Sequence, residues 1–222
     1  MASLWSPLIH LPSLWNHRNS HLNVVSEKIV EDLKLHARYA AAAYCPTERV
    51  MSWSCGDRCE SGLNVTSYFV SPSSQVAGFM GYNPDKRKMV VSFRGSSNIQ
   101  NWIHDVQFLP IDFEYPHQAS DYPLGIKVHG GFFRAYESLR AQVRDAIELL
   151  GSILADEFPE YELIVTGHSL GAAIAVFAAM DLSQNYSGDK AAESFAINPK
   201  KMFVHTYGGP RIGNSGFARP GL

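Results

Sequence analysis

Eighteen consecutive residues, Leu163 to Met180, contain no Asp, Glu, Lys or Arg, and they enclose the pentapeptide Gly167-His168-Ser169-Leu170-Gly171. An uncharged run of this length raises the question of a membrane span. Two glycines, a histidine and a serine interrupt it early, so it reads instead as a buried strand, Leu163 to Thr166, followed by a packed helix, Leu170 to Leu182. A serine hydroxyl is a weak nucleophile unless it is held beside a base and near donors for the oxyanion that develops on attack. A sharp strand-to-helix turn does that holding, with the serine strained at its apex and small residues on either side. Gly167 and Gly171 supply the room, and Ala172 and Ala173 let the helix approach the sheet. The helix turns its positive end on Ser169, and the N–H of Leu170 points where an oxyanion would form. His168 is read as a packing or hydrogen-bonding residue, because the turn carries its side chain away from the attack path.

The surrounding pattern alternates helices with strands. Val24 to Tyr44 has helical periodicity, with Ile29, Leu33 and Leu35 before a run of alanines, and stops before Pro46. Val76 to Tyr82 and Met89 to Phe93 read as strands around the turn at Asn83 to Lys86, and Met202 to Tyr207 as another strand. Phe132 to Phe158 reads as one long helix with Leu139, Val143, Ile147 and Leu150 on a stripe, ended by Pro159. The expectation is an α/β fold with a mostly parallel, covered sheet, and a site beyond the carboxyl ends of its strands.

An oxyanion hole needs a donor from a second segment. The strand ending at Phe93 runs into Arg94-Gly95-Ser96-Ser97, where Ser96 offers both an N–H and a hydroxyl. His129-Gly130-Gly131-Phe132 is the rival, but it precedes a long helix rather than following a strong strand, so Ser96 is favoured. Ile99, Trp102, Ile103 and Val106 fall at i, i+3, i+4 and i+7, one face of an amphipathic helix. Lying directly after Ser96, that helix is read as a lid over Ser169 rather than as ordinary surface structure.

At 222 residues, 45% of them apolar, the chain suits one α/β domain, with residues 1–23 as an extension of uncertain role and 24–222 as the domain. The net charge is −2 with no basic block, which excludes nucleic acid as an expected partner. Cys55 and Cys59 can close a small disulfide loop that leaves Cys45 alone, or all three can be reduced thiols. Asn64-Val-Thr66 and Asn185-Tyr-Ser187 are glycosylation acceptor triplets, a slight lean towards export. Residues 1 to 16 lack a positively charged start and are broken by Pro7, His10 and Pro12, which makes a poor signal peptide. No metal ligand set is spaced along the chain, and ester chemistry by a serine requires neither metal nor cofactor.

Five segments together resemble the class 3, fungal-type triacylglycerol lipases. They are Ala40 to Cys45, Val91 to Ser97 with Asn101-Trp102-Ile103, Lys127 to Phe132, Thr166 to Gly171, and Thr206 to Asn214. Their order and spacing match as well as their letters. The resemblance implies an α/β-hydrolase fold, Ser169 as nucleophile, Ser96 and Leu170 as the oxyanion hole and the Trp102 segment as the lid. It implies a lipid ester substrate met at an oil–water interface, and a secreted protein. It also implies a local Cys55–Cys59 bridge, with Cys45 paired to a cysteine near the family's C-terminus. Feruloyl esterases of the same family resemble the elbow but generally lack Asn-Trp-Ile, so lipase is the better substrate reading.

A hydrolase of this fold places its acid and then its histidine after the serine. Asp181 lies twelve residues along the elbow helix, roughly 18 Å from Ser169. Asp189 falls in a polar loop, and His205 lies inside a strand. No triad Asp or His is therefore expected in this chain, which reads as C-terminally truncated relative to the family. A catalytically impaired remnant is the alternative to a lipase. The last strand should then be an uncovered sheet edge with apolar surface.

Overall fold

The structure, a computed structural model, describes residues 25–95, 109–113, 125–186 and 196–218. Helix α1 (Glu27–Ala42) starts where the Ser26 hydroxyl accepts the Ile29 N–H. Its buried face is Leu35, His36, Tyr39, Ala40 and Ala42. Ile29 and Leu33, part of the expected periodic stripe, are 52% and 40% exposed, so the helix is rotated away from them. A short helix α2 (Thr47–Met51) follows Pro46.

Five strands form the main sheet: β1 (Asn64–Ser71), β2 (Val76–Asn83), β3 (Lys88–Arg94), β6 (Glu162–His168) and β7 (Met202–Tyr207), in that spatial order. It is parallel in its C-terminal part (β3, β6, β7) and antiparallel in its N-terminal part (β1, β2, β3). Two short strands, β4 (Pro110–Asp112) and β5 (Lys127–His129), pair apart from it. Among the described residues β7 is the sheet's edge, and Phe203 and Val204 on it are 39% and 42% exposed.

The expected long helix is two: α3 (Gly130–Glu137) and α4 (Arg140–Leu154), with a 3-10 turn over Ala155–Glu160. The break falls at Ser138, whose hydroxyl donates to the Ala135 carbonyl at 2.7 Å and meets Ser74 Oγ at 2.8 Å. A serine that bonds back to the helix competes with the helical ladder. The stripe is as expected: Leu139, Val143, Ile147 and Leu150 are all fully buried.

Strand β6 and helix α5 (Leu170–Asn185) occupy the uncharged run. α5 is buried almost all round: ten apolar residues and Asp181 are enclosed by sheet and helices. No helix among the described residues is long and apolar enough to cross a membrane.

The Cys55–Cys59 bridge is corrected. Cys45 is bonded to Cys55, with Cα atoms 6.4 Å apart, and Cys59 is the free thiol. The end of α1 explains the exchange: Cys45 N–H bonds the Ala42 carbonyl at 2.9 Å, which sets Cys45 beside the turn at Gly56–Arg58. That turn leaves the Cys59 sulfur accepting the Cys55 N–H at 3.0 Å.

His36 makes the fold pH-dependent. Its ring is 3% exposed, neither nitrogen has a hydrogen-bond partner, and it lies tilted against His205 of β7 with centroids 4.2 Å apart. Burial first, then His205 and Lys88 of β3, lower its pKa to about 4, while Asp32 of α1 opposes them. An unfolded histidine titrates near 6.5, so between pH 6.5 and 4 the unfolded chain binds the extra proton. Stability should rise with pH across that window and be lost as pH falls through it, by about 3 kcal/mol in all. Urea midpoints at pH 7 and pH 4 check this. His36→Phe should shrink the difference, and an unaltered difference would contradict it.

Candidate active site

The site is built where β6 ends. Ser169 is the N-cap of α5 with φ 57° and ψ −125°, in the positive-φ range that a non-glycine residue rarely adopts. Such a conformation costs on the order of 1–3 kcal/mol and persists only where its surroundings impose it. The Ser169 N–H bonds the Tyr207 carbonyl of β7 at 3.0 Å, and the Ser169 carbonyl takes the Ala172 N–H at 3.0 Å. Ser169 is thus held from both neighbours while its side chain stands at the helix N-terminus, 8% exposed.

Close approach explains the flanking glycines. A Cβ on Gly167 would meet the Gly171 carbonyl oxygen and lie 2.9 Å from Ala172 N. One on Gly171 would meet the Phe93 carbonyl oxygen and lie 2.8 Å from Phe93 C, so α5 rests directly on the end of β3. The exit of β3 then passes the helix start: a Cβ on Gly95 would be 2.8 Å from Leu170 Cβ and 3.3 Å from Leu170 N. The Leu170 amide has no acceptor among the described residues, as the first amide of a helix requires. Ser96 lies outside the described residues, as do Ile99, Trp102, Ile103 and Val106.

The rival donor loop is otherwise engaged. His129 Nδ1 accepts the N–H groups of Gly131 and Phe132 at 3.1 and 3.4 Å, and Gly130 N–H bonds Leu109 O at 2.9 Å. His129 is a helix cap, and its neighbouring amides are not free to bind an oxyanion.

Other histidines and carboxylates are also committed. His205 faces His36 across β7. Asp181 accepts Tyr136 Oη at 2.6 Å and Arg144 Nε and Nη2 at 3.0 and 2.7 Å. His168 is exposed, with its Nδ1 3.2 Å from the Tyr44 hydroxyl, the hydrogen-bonding role expected of it. Among the described residues no imidazole or carboxylate hydrogen-bonds the Ser169 hydroxyl. Nor does any group of three or more His, Cys, Asp or Glu among them converge as a metal site.

Beside the elbow, on the α1 side of the sheet, is a cavity of about 420 Å³ whose walls include Ala37, Ala41, Tyr44, Arg58, His168 and Tyr207. Tyr44 is the site residue that the sequence did not single out. Its place at the end of the alanine run was visible, but its proximity to His168 comes from the packing of α1 on β6.

The sequence profile of the lipases of class 3 matches residues 90–221, a span that includes most of β3, the elbow and β7. The chain belongs to the class 3 lipases. A Rhizopus niveus lipase is 32% identical over 221 residues, 96% of this chain and 51% of its own length. A secreted mono- and diacylglycerol lipase of Fusarium solani is 27% identical over 201 residues, 87% of this chain and 53% of its own. The crystal structure of the lipase from Rhizopus microsporus var. chinensis superposes with a TM-score of 0.70 at 30% identity, covering 87% of this chain and 62% of that one. The architecture of this class 3 lipase chain is thus the α/β-hydrolase fold of those lipases. It spans about half the length of the curated relatives it matches.

Proposed function

We propose that this chain carries the nucleophile half of a lipase-type ester hydrolase, with lipid esters as substrates and fatty acids as products. The observation that carries the reading is Ser169 held at positive φ on the N-terminus of α5, beside the unengaged Leu170 amide. Ser169 Oγ attacks the ester carbonyl, and the oxyanion is received by the Leu170 N–H and by Ser96. The alcohol leaves, and water resolves the acyl-serine. The base that takes the serine proton and the carboxylate that orients it come from outside the described residues. The Ile99-Trp102-Ile103-Val106 face acts as a lid that opens on a lipid–water boundary. Secretion is the matching location, supported by the secreted Fusarium solani relative named above.

A second reading, a class 3 lipase chain that binds lipid without turnover, is favoured by the commitment of Asp181 and His205 elsewhere. One experiment separates the two: hydrolysis of a short-chain nitrophenyl ester by the purified chain and by Ser169→Ala. The hydrolase reading expects Ser169-dependent turnover, with a measurable drop in Ser169→Ala. Equal rates would leave only the second reading.

A further inference from the structure

We propose that Tyr44 is a positioning residue for this hydrolysis, its single hydroxyl tying together the two segments that converge on the oxyanion side of Ser169. The inference rests on the hydrolase reading above.

The Gly95 N–H donates to Tyr44 Oη at 3.3 Å. Tyr44 Oη donates to the His168 carbonyl at 3.2 Å and lies 3.2 Å from His168 Nδ1. A phenol has one proton and two lone pairs. All three contacts are satisfied together only if the proton goes to the His168 carbonyl while the lone pairs accept Gly95 N–H and His168 Nδ1–H. The arrangement requires a proton on His168 Nδ1.

The two segments are those that matter for the oxyanion. Gly95 directly precedes Ser96, and its backbone runs beside Leu170. His168 directly precedes Ser169. The hydroxyl itself is held from behind. Tyr44 N–H bonds Ala41 O at 3.2 Å at the end of α1, and the next residue, Cys45, is bonded to Cys55. Burial raises the phenol's pKa, so the proton needed for the His168 carbonyl stays in place through neutral pH. Without the hydroxyl, the Gly95 amide and the His168 carbonyl both lose their shared partner, and the approach of Gly95 to Leu170 is no longer fixed. Donor spacing matters in the transition state and not in ground-state binding, so the loss should fall on kcat.

Tyr44→Phe keeps the ring and removes only the hydroxyl. We expect kcat to fall about 10–100-fold, KM to stay within about twofold, and the melting temperature to move by no more than a few degrees. Amide exchange at Gly95 should accelerate at least about tenfold. Tyr44→Leu, which also removes the ring, should add a loss of stability to the same kcat defect. Wild-type turnover matched by Tyr44→Phe would overturn the inference alone, as would unchanged Gly95 exchange or a change confined to KM. Turnover no greater in the wild type than in Ser169→Ala would overturn the hydrolase reading and take this inference with it.

Discussion

Gly171→Ala should lower stability by about 3 kcal/mol, a fall in melting temperature of roughly 6–12 °C for a chain of this size. Helix propensity alone points the other way, since alanine is favoured over glycine by up to about 1 kcal/mol in a helix. The clash decides the sign. A Cβ at Gly171 would strike the Phe93 carbonyl oxygen and sit 2.8 Å from Phe93 C and 3.0 Å from Arg94 C. Phe93 pairs on both sides, with Gly78 of β2 and Gly167 of β6, so its backbone cannot step back cheaply. Relief must come from lifting α5 off the sheet, and that moves Ser169 with it. Thermal unfolding by circular dichroism checks the value, and a midpoint equal to wild type would mean that α5 does not rest on β3 this closely.

Asp181→Ala should cost about 3 kcal/mol through a different route. The carboxylate is 6% exposed and gathers three helices: Tyr136 from α3, Arg140 at 3.4 Å and Arg144 from α4, and Asn185 at 3.1 Å on α5 itself. Removing it strands a buried phenol and a guanidinium. Breaking a buried ion pair costs about 3–5 kcal/mol, and the low end applies because Arg144 keeps some access to water. Asp181→Asn keeps the shape and should leave the hydrolysis rate per folded molecule unchanged. A hundredfold loss of rate with the fold intact would make Asp181 the orienting carboxylate, against its placement here. Urea unfolding beside the ester assay reads both quantities.

The elbow was legible because several independent signals agree there: an apolar run, two glycines at the right offsets and an alanine-rich continuation. β2, β3, β6 and β7 were legible from β-branched and aromatic content between turn signals. β1 was not, because its register shifts between Val65 and Ser67 and blurs the alternation over Asn64–Ser71. The break between α3 and α4 carries no Gly or Pro, and Ser138 makes it through hydroxyl bonds that only tertiary packing supplies. The exposure of Ile29 and Leu33 was hidden for a related reason. The apolar stripe shows that α1 is amphipathic, but the docking of His36, Tyr39 and Ala40 on the sheet sets its rotation. The cysteine pairing depends on where α1 ends in space, which spacing along the chain does not encode. In the site, Ser169, Leu170 and Gly171 were readable from local motif. Tyr44, 124 residues from His168 in sequence, was not.

The most direct test of the account is the acyl-serine itself. The purified chain is mixed with a short-chain nitrophenyl ester, quenched in acid within the first turnover, digested and mapped by mass spectrometry. The account predicts one acyl group on the peptide that contains Ser169, absent from Ser169→Ala and reduced in Tyr44→Phe. Acylation spread over lysines and histidines, or identical in Ser169→Ala, would contradict it.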